Sequence, residues 1–180
     1  LFVAVNLPEK TRDTLVEYQE KYKELPCTWT KKENLHITLQ FLGNVSEKEL
    51  EIITEKIVLV GKKHSPFEGM LRSIVYGPTR KRPSMIWVMA EKTPLLILLQ
   101  RDIREAVSQM FDLEKSPFTP HLTLARLRQF EFQRLEPEEW PVVNENIDIS
   151  FPVNSFELME SILKRRGAEY SVIETIPLKT

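Results

Sequence analysis

Apolar and polar positions along the chain change between a strand-like and a helix-like period in a repeating order. The apolar run Leu1–Val5 is typical of a strand, and after it apolar side chains recur at helical spacing at Leu15, Tyr18, Tyr22 and Leu25. Pro8 lies near the predicted start of this helix and Pro26 follows its end. Segments 27–30 and 35–42 then return to a strand pattern. The first part of the chain is therefore predicted to be strand, helix, strand.

The second part of the chain repeats this order. Ser46–Glu49 has the form of a capping box and predicts the start of a helix, which a strand over 67–76 follows. After a strand over 84–90, Thr93-Pro94 predicts another helix start and a strand over 121–127 comes next. The apolar positions of this last helix are Leu96, Leu99, Ile103, Val107 and Met110.

The spacing of these elements indicates an internal duplication. Val3 and His36 are 33 positions apart (36 − 3), Trp87 and His121 are 34 apart (121 − 87), and each interval reads strand, helix, strand. We therefore predict an α+β fold with two pseudo-symmetric lobes of antiparallel or mixed sheet, flanked by helices around a central cleft. We expect one bilobal domain over residues 1–180, with its motif strands near 35–42 and 121–127.

The C-terminal part completes the predicted sheets. Residues 128–144 are polar, acidic and interrupted by proline, so we expect an irregular surface excursion there. Strands are predicted over 147–151, 156–161 and 170–178, and a turn over Lys164–Gly167 joins the last two.

Composition narrows the class of protein. With 42% hydrophobic and 28% charged residues, the chain has the composition of a soluble globular protein, and no apolar run is long enough to cross a bilayer, so we expect no membrane partner. The net charge of −1 argues against a large nonspecific grip on nucleic acid. The single cysteine, Cys27, excludes an internal disulfide and suits a reducing compartment. We expect a cytoplasmic protein that is a monomer.

Two nearly identical four-residue stretches carry the candidate chemistry. They are His36-Ile-Thr-Leu and His121-Leu-Thr-Leu. In a strand, His36 and Thr38 share one face while the aliphatic residues face the core, and His121 and Thr123 do the same. The third histidine, His64, has no threonine partner, and its lysine-rich context predicts a solvated loop. The repeated pair predicts a site, although a duplicated core strand whose histidine and threonine bond each other is the structural alternative.

Concerted acid–base chemistry uses both copies of the motif. Neither copy brings the further ligands that zinc needs, and no Gly-x-Ser-x-Gly elbow is present. At neutral pH one imidazole can be neutral and the other protonated, so one can take a proton from water while the other gives one to a leaving oxygen. Threonine hydroxyls can donate to the non-bridging oxygens of a phosphate. The motifs therefore predict cleavage of a phosphodiester.

Further residues are candidates for substrate binding. Arg126 follows the second motif, and a period of two is taken to place it on the same face as His121 and Thr123, where it adds a positive charge near a phosphate; the alternative is a surface ion pair. Phe118 and Phe41 lie beside the motifs, where an aromatic ring can stack on a base; we assign this role to Phe118, and for Phe41 we favour core packing over stacking.

Other basic and aromatic residues leave two interpretations open. The basic runs 80–82 and 164–166 suit either an RNA backbone or a solvated turn. The tryptophans are expected in the core or at its rim.

The paired motifs resemble the H-x-T-x signatures of the two-histidine phosphoesterase superfamily. The wider sequence is similar to its LigT-like branch, the RNA 2′,3′-cyclic phosphodiesterases of the 2′-5′ RNA ligase family. One position departs from the pattern, because Gln40 stands where a basic residue is common. The matching stretches are Leu1–Val5 with Leu7-Pro8, Trp29, Glu33–His36, Thr38–Gly43, Met85–Val88, Pro117–His121, Leu124–Arg126 and Ile176–Leu178.

This resemblance implies a bilobal fold with a central cleft, no metal or other cofactor, and hydrolysis of a terminal 2′,3′-cyclic phosphate to a 2′-phosphate. The expected partner is RNA with that end, or a small cyclic nucleotide. By analogy with the family, His121 is assigned as the base that activates water and His36 as the acid for the leaving oxygen. The alternatives are a 2′-5′ phosphodiesterase or 2′-5′ RNA ligase, and a non-catalytic RNA- or nucleotide-binding module.

Overall fold

The computed structural model describes residues 1–180 except 80, 114, 115, 137, 139, 165, 166 and 180. In chain order the elements are β1 (Phe2–Asn6), α1 (Glu9–Lys21), β2 (Cys27–Trp29), a 3₁₀ turn (Lys32–Asn34), β3 (His36–Phe41), α2 (Glu47–Gly61), β4 (Phe67–Gly77), β5 (Met85–Ala90), α3 (Pro94–Val107), β6 (His121–Leu127), α4 (Gln129–Phe132), β7 (Asn144–Val153), β8 (Ser155–Lys164) and β9 (Gly167–Pro177).

The strands form two sheets, each with one motif strand. One sheet has the order β3-β1-β8-β9 and the other β2-β6-β5-β4-β7. Every strand pairing in the two sheets is antiparallel. The predicted α+β fold with two lobes is confirmed, and its sheets are antiparallel rather than mixed.

The two helix starts that were predicted from capping residues have the expected capping. The Ser46 hydroxyl accepts a hydrogen bond from the Glu49 backbone, and the Glu49 carboxylate accepts one from the Ser46 backbone, which completes the capping box. Thr93 accepts from the Leu96 backbone, and Pro94 occupies the first helical position.

The helices cross between the lobes. Although α1 precedes the motif strand β3 in the chain, it lies on the other sheet, where Gln19 Nε2 donates to the Leu124 carbonyl at 3.2 Å and Lys21 pairs with Glu145 on β7 at 2.7 Å. In the same way α3 precedes β6 but contacts β3. One buried apolar cluster therefore runs through both lobes, from Ile37 to Leu122, and the motif strands β3 and β6 lie in contact.

The segment 128–144 is more ordered than predicted. Its first turns form α4, and the Phe132 side chain is only 1% exposed. The Phe132 ring lies 5.7 Å from the ring of Tyr76 and 4.9 Å from that of Trp140. The irregular excursion predicted here is therefore wrong in part, because the polar and acidic composition hides an aromatic anchor.

The solvated-loop prediction for His64 is also wrong. The side chain is 6% exposed, and its Nε2 lies 3.0 Å from Asp102 Oδ2 on α3. Its backbone carbonyl accepts from the Lys179 amide at 2.7 Å. The flanking lysines suggested a solvated loop, but a long-range partner carboxylate compensates the burial of this imidazole.

No helix among the described residues is long and apolar enough to span a membrane.

Candidate active site

Both motif strands present their histidine and threonine in the same register. On β3, His36 lies opposite Asn6 and Thr38 opposite Ala4. On β6, His121 lies opposite Met89 and Thr123 opposite Trp87. The residue opposite the motif threonine is Ala4 in the first lobe and Trp87 in the second, so these two are equivalent. The duplication spacing above was counted from Val3, which is one position away. Counted from the equivalent residues, the spacings to the motif histidines are 32 (36 − 4) and 34 (121 − 87) positions. On each of the two sheets, we call the surface that carries the motif histidine and threonine the motif face.

A β-bulge follows the threonine in both strands. Leu39 is the extra residue between Thr38 and Gln40, whose partners Ala4 and Val3 are adjacent. Leu124 is the extra residue in β6, and its carbonyl accepts from the Thr30 amide at 3.0 Å and from Gln19. Because a bulge sets two residues against one, the side chain after it returns to the motif face one position later than strict alternation predicts.

The bulge explains the position of Arg126. A strict period of two from Thr123 leads to Ala125, which is fully buried, and not to Arg126. The predicted face of Arg126 is correct, but strict alternation is not the reason for it. With Leu124 as the extra residue, Arg126 lies opposite Met85, and its side chain is exposed on the motif face.

The same shift places Phe41 on the motif face. Phe41 lies opposite Phe2, and its side chain is 64% exposed, so the expected core packing is wrong. The preceding Gln40 lies opposite Val3, is 6% exposed and donates to the Phe41 carbonyl at 2.8 Å. At this position, where a basic residue is common in the family, the Gln40 side-chain amide is hydrogen-bonded to the backbone of its own strand.

Each motif histidine is anchored through the same ring nitrogen. His36 Nδ1 lies 2.8 Å from the Asn34 carbonyl oxygen, and His121 Nδ1 lies 2.7 Å from that of Thr119. A carbonyl only accepts, so the hydrogen-bonding partner assigns the proton to Nδ1 in both rings. In the neutral imidazole the lone pair is therefore on Nε2, which can accept a proton, and in the imidazolium Nε2 can donate one.

His36 lies among aromatic rings. Its ring centroid is 5.0 Å from that of Phe2 and 5.2 Å from that of Tyr170, whose ring meets it edge-on. Burial lowers the pKa of His36, and the charge of the nearby His121 lowers it further, while the hydrogen bond to Asn34 opposes the shift. This first imidazole is therefore biased toward its neutral form.

His121 is stacked on a tryptophan. The rings of Trp87 and His121 are 3.8 Å apart and inclined by 25°. Gly77 on β4 allows this arrangement, because a Cβ at that position would overlap the Trp87 ring. Burial lowers the pKa of His121, opposed by its hydrogen bond to Thr119.

Three hydrogen-bond donors meet at one methionine sulfur. Trp87 Nε1, Thr123 Oγ1 and Arg126 Nη1 lie 3.4, 3.8 and 3.9 Å from Met85 Sδ. A thioether sulfur is a weak hydrogen-bond acceptor, so these three donors remain able to bind a stronger acceptor. On the other strand, the Thr38 hydroxyl makes no hydrogen bond with any described residue. Both threonines can therefore donate to an anion placed between the motif strands.

Among the described residues, the remaining predicted candidates make no hydrogen bond or ring contact with the motif side chains. Phe118 is half-buried and packs against the main core. Lys81, Arg82 and Lys164 are exposed, whereas Arg80, Arg165 and Arg166 lie outside the described residues. Two surface depressions, of 420 Å³ between α2 and α3 and of 330 Å³ beside β4 and β7, contain none of the motif residues.

Sequence reasoning missed the residues that surround the two imidazoles. Trp87 was expected at the core or its rim, Phe2 and Met85 were identified only within stretches that resemble the family, and Tyr170 only within a predicted strand. The internal duplication contained a signal for Trp87. When the two lobes are aligned on their motif threonines and partner strands, Trp87 lies opposite Thr123. Tyr170 carried no such signal, since it comes from β9 and reaches His36 only through the order of the sheet.

Two H-x-T-x motifs thus lie on contacting strands of the two sheets, and comparison with known proteins gives the family. The sequence model of the family described as "LigT like Phosphoesterase" matches twice, over residues 5–87 and 88–170. The chain belongs to this family, and the resemblance seen in the paired motifs is confirmed.

Two relatives that match nearly the whole chain have the same name. A protein of Thermus thermophilus named RNA 2′,3′-cyclic phosphodiesterase is 32% identical over 99% of this chain and 90% of its own length. A protein of the same name from Thermotoga maritima is 27% identical over 96% of this chain and 91% of its own.

Solved structures have the same fold. The crystal structure of a Thermus thermophilus protein matches with a TM-score of 0.86 and 30% identity over 99% of this chain and 97% of its own. Escherichia coli LigT, solved in complex with 3′-AMP, matches with a TM-score of 0.74 at 23% identity, over 99% of this chain and 97% of its own.

Proposed function

We propose that this protein hydrolyses the terminal 2′,3′-cyclic phosphate of RNA to a 2′-phosphate, with His36 and His121 as the paired acid and base. The observation that carries the proposal is the matched anchoring of both Nδ1 atoms on backbone carbonyls, which leaves two Nε2 atoms free for proton transfer. The activity named for the full-length relatives supports the same reaction.

The proposed reaction is a single displacement at phosphorus. Water attacks the phosphorus, a neutral imidazole takes the proton that the water loses, and the bond from phosphorus to the 3′ oxygen breaks. An imidazolium gives its proton to that leaving oxygen, so the products are a 3′-hydroxyl and a 2′-phosphate. The hydroxyls of Thr38 and Thr123 and the guanidinium of Arg126 would stabilise the negative charge on the non-bridging oxygens.

The order of the two roles depends on which imidazole holds the proton in the free enzyme. Family analogy assigns His121 as base and His36 as acid. Burial lowers the pKa of both rings, and the repulsion between two imidazolium charges acts on both alike, so the ring environments do not distinguish the two roles. We therefore propose the order given by family analogy, with His121 as the base and His36 as the acid.

Product regiochemistry tests the proposed reaction. The wild-type protein is incubated with adenosine 2′,3′-cyclic phosphate and with an RNA bearing that end, and the isomeric monophosphates are separated. We expect only the 2′-phosphate, from both substrates. A 3′-phosphate product, or no turnover of either substrate, would contradict the proposal.

A second reaction condition separates hydrolase from ligase. Addition of an RNA with a 5′-hydroxyl should leave the hydrolytic product unchanged. Accumulation of a 2′-5′ linkage would instead favour the ligase alternative.

Chelation tests the expectation that no metal participates. In the described part of the chain no cluster of three or more His, Cys, Asp or Glu side chains is placed to hold a metal ion. We expect full turnover after prolonged treatment with EDTA. Loss of turnover that one divalent ion restores would contradict the mechanism. The monomeric state and the cytoplasmic location stay predictions.

A further inference from the structure

The sulfur of Met85 is the common acceptor of three side chains in the second lobe. Met85 lies opposite Arg126 on the motif face, two positions before Trp87. Its Sδ is 3.4 Å from Trp87 Nε1, 3.8 Å from Thr123 Oγ1 and 3.9 Å from Arg126 Nη1. Two of these donors are the ones proposed to hold the phosphate, and the third belongs to the indole that stacks on His121.

The first lobe has a phenyl ring at the equivalent position. Phe2 lies opposite Phe41, and Met85 lies at the same place in the second lobe, opposite Arg126. Phe2 is 3% exposed and has no sulfur, whereas the Met85 side chain is half-buried and reaches the surface. Oxidation of a side chain at this position is therefore possible in the second lobe and not in the first.

The distances around the sulfur leave room for an added oxygen. A donor nitrogen or oxygen lies about 2.7–3.2 Å from the oxygen that accepts its hydrogen bond, which is shorter than all three distances to Met85 Sδ. An oxygen bonded to the sulfur on this side would lie closer to the donors than the sulfur does. A sulfoxide is polar, whereas a thioether is a weak acceptor, so oxidation would replace three weak contacts by stronger hydrogen bonds.

We infer that Met85 is a modification site, and that its oxidation to the sulfoxide by a peroxide inhibits the enzyme. In this step a lone pair of the sulfur attacks one oxygen of hydrogen peroxide, the S–O bond forms, the O–O bond breaks and water leaves. The sulfur is oxidised by two electrons and the peroxide is reduced. The new oxygen then competes with the phosphate for Thr123 and Arg126. The inference rests on the proposed function, which gives these two donors the phosphate as their acceptor.

Peroxide treatment of the wild-type protein tests the inference. Peptide mass spectrometry follows the oxidation of Met85, and kcat/KM for adenosine 2′,3′-cyclic phosphate is measured before and after treatment. We expect kcat/KM to fall by about 10- to 100-fold as the Met85 sulfoxide forms, because donors to the charged oxygens are lost. Methionine sulfoxide reductases that act on both epimers should restore the rate, since this oxidation is reversible.

Two leucine variants separate Met85 from general oxidative damage. Met85→Leu keeps a side chain of similar size without sulfur, so the same treatment should change its own starting rate by less than about twofold. Met89 is the matched control, because it lies on the same strand opposite His121. Met89→Leu should lose as large a fraction of its rate as the wild type does.

A third variant tests whether the sulfoxide acts through the phosphate donors. Arg126→Ala already lacks the guanidinium, so oxidation of Met85 should cost it a smaller factor than it costs the wild type. Binding of adenosine 2′-phosphate, measured by calorimetry, should weaken after oxidation of the wild type and stay unchanged after treatment of Met85→Leu.

Several results would overturn the inference. They are a complete Met85 sulfoxide with an unchanged rate, equal peroxide losses in the wild type and Met85→Leu, and an equal factor lost in the wild type and Arg126→Ala. Resistance of Met85 to peroxide that oxidises the other four methionines would also overturn it. Failure of the untreated wild type to hydrolyse the cyclic phosphate would instead overturn the proposed function, and the inference with it.

Discussion

The two lobes share a backbone arrangement but surround their histidines differently. Strand pairing, bulge position and the Nδ1 anchor are the same on both sides. The neighbours differ, since Ala4 in the first lobe corresponds to Trp87 in the second, and Phe41 corresponds to Arg126. The duplicated backbone thus sets where each imidazole and hydroxyl lies, and the unlike neighbours give the two histidines different surroundings.

The largest effect is expected from the histidines themselves. Because proton removal and proton delivery belong to one displacement, His36→Ala and His121→Ala should each lower the single-turnover rate by about 10²- to 10⁴-fold. The double variant should be no slower than either single variant. Additive losses would show that one histidine is structural and would break the equivalence of the lobes.

His64 provides a control for these variants. Its imidazole is bound to Asp102 inside the structure. His64→Ala should lower the free energy of unfolding by about 1–3 kcal/mol, because it removes a buried ring together with its hydrogen bond to Asp102. The single-turnover rate of the folded fraction should stay normal.

The next effect compares the two threonines. Thr38→Val and Thr123→Val should each lower turnover by about 10- to 1,000-fold, because each removes a donor to the charged oxygens. The free energy of unfolding, measured with urea, should change by less than about 2 kcal/mol. Normal turnover in both variants would return the hydroxyls to a packing role.

A third effect concerns only the second lobe. A Cβ at Gly77 would overlap the Trp87 ring, so Gly77→Ala should displace the indole and with it His121. Misplacement of a catalytic ring by about 1 Å can cost up to about a hundredfold in rate, and kcat is expected to fall within that limit.

Gly69→Ala is the matched control, because Gly69 lies on the same strand as Gly77 and its Cβ would overlap the Phe151 ring on β7, away from the motifs. It should lower stability to a similar degree without lowering the kcat of the folded enzyme. An equal loss of kcat in both variants would remove the positioning role of Trp87.

The smallest effect is a shift in pH dependence. The pKa of each histidine is lowered by burial, so each imidazole stays neutral to a lower pH than free imidazole, near 6.5. The acidic limb of kcat/KM, set by protonation of the base, should therefore lie below that value. The alkaline limb, set by proton loss from the acid, should move in the same direction. Rates from about pH 4.5 to 9 test this, and a bell centred above pH 7 would contradict it.

The single variants also assign the two limbs. With His121 as the base, His121→Ala should lose the acidic limb of its residual rate and His36→Ala the alkaline limb. The opposite result would reverse the two roles.

Local sequence signals predicted most elements of the fold. The capping box at Ser46, the Thr93-Pro94 helix start and the alternation around both motifs are local, so each could be recognised without knowing its partner. The bulges at Leu39 and Leu124 could not be predicted this way, since a bulge is defined by the opposite strand. For this reason the alternation argument counted wrongly at Arg126 and gave no reason to expect Phe41 on the motif face.

Long-range contacts account for the other errors. His64 was predicted in a solvated loop because its neighbours are lysines, but its partner Asp102 is 38 residues away in the chain. Phe132 lies in a segment of polar composition, and only the rings of Tyr76 and Trp140 around it show that it is an anchor. The crossing of α1 and α3 between the lobes likewise has no local signal.

The stack of Trp87 on His121 supplies a built-in optical reporter. An imidazolium in contact with an indole quenches its fluorescence more strongly than a neutral imidazole does, and these two rings are 3.8 Å apart. With Trp29 and Trp140 replaced by phenylalanine, emission from Trp87 would follow the protonation of His121 alone. A fluorescence titration would then report the charge state of His121 by itself. A rate profile gives only apparent pKa values that belong to the two histidines together.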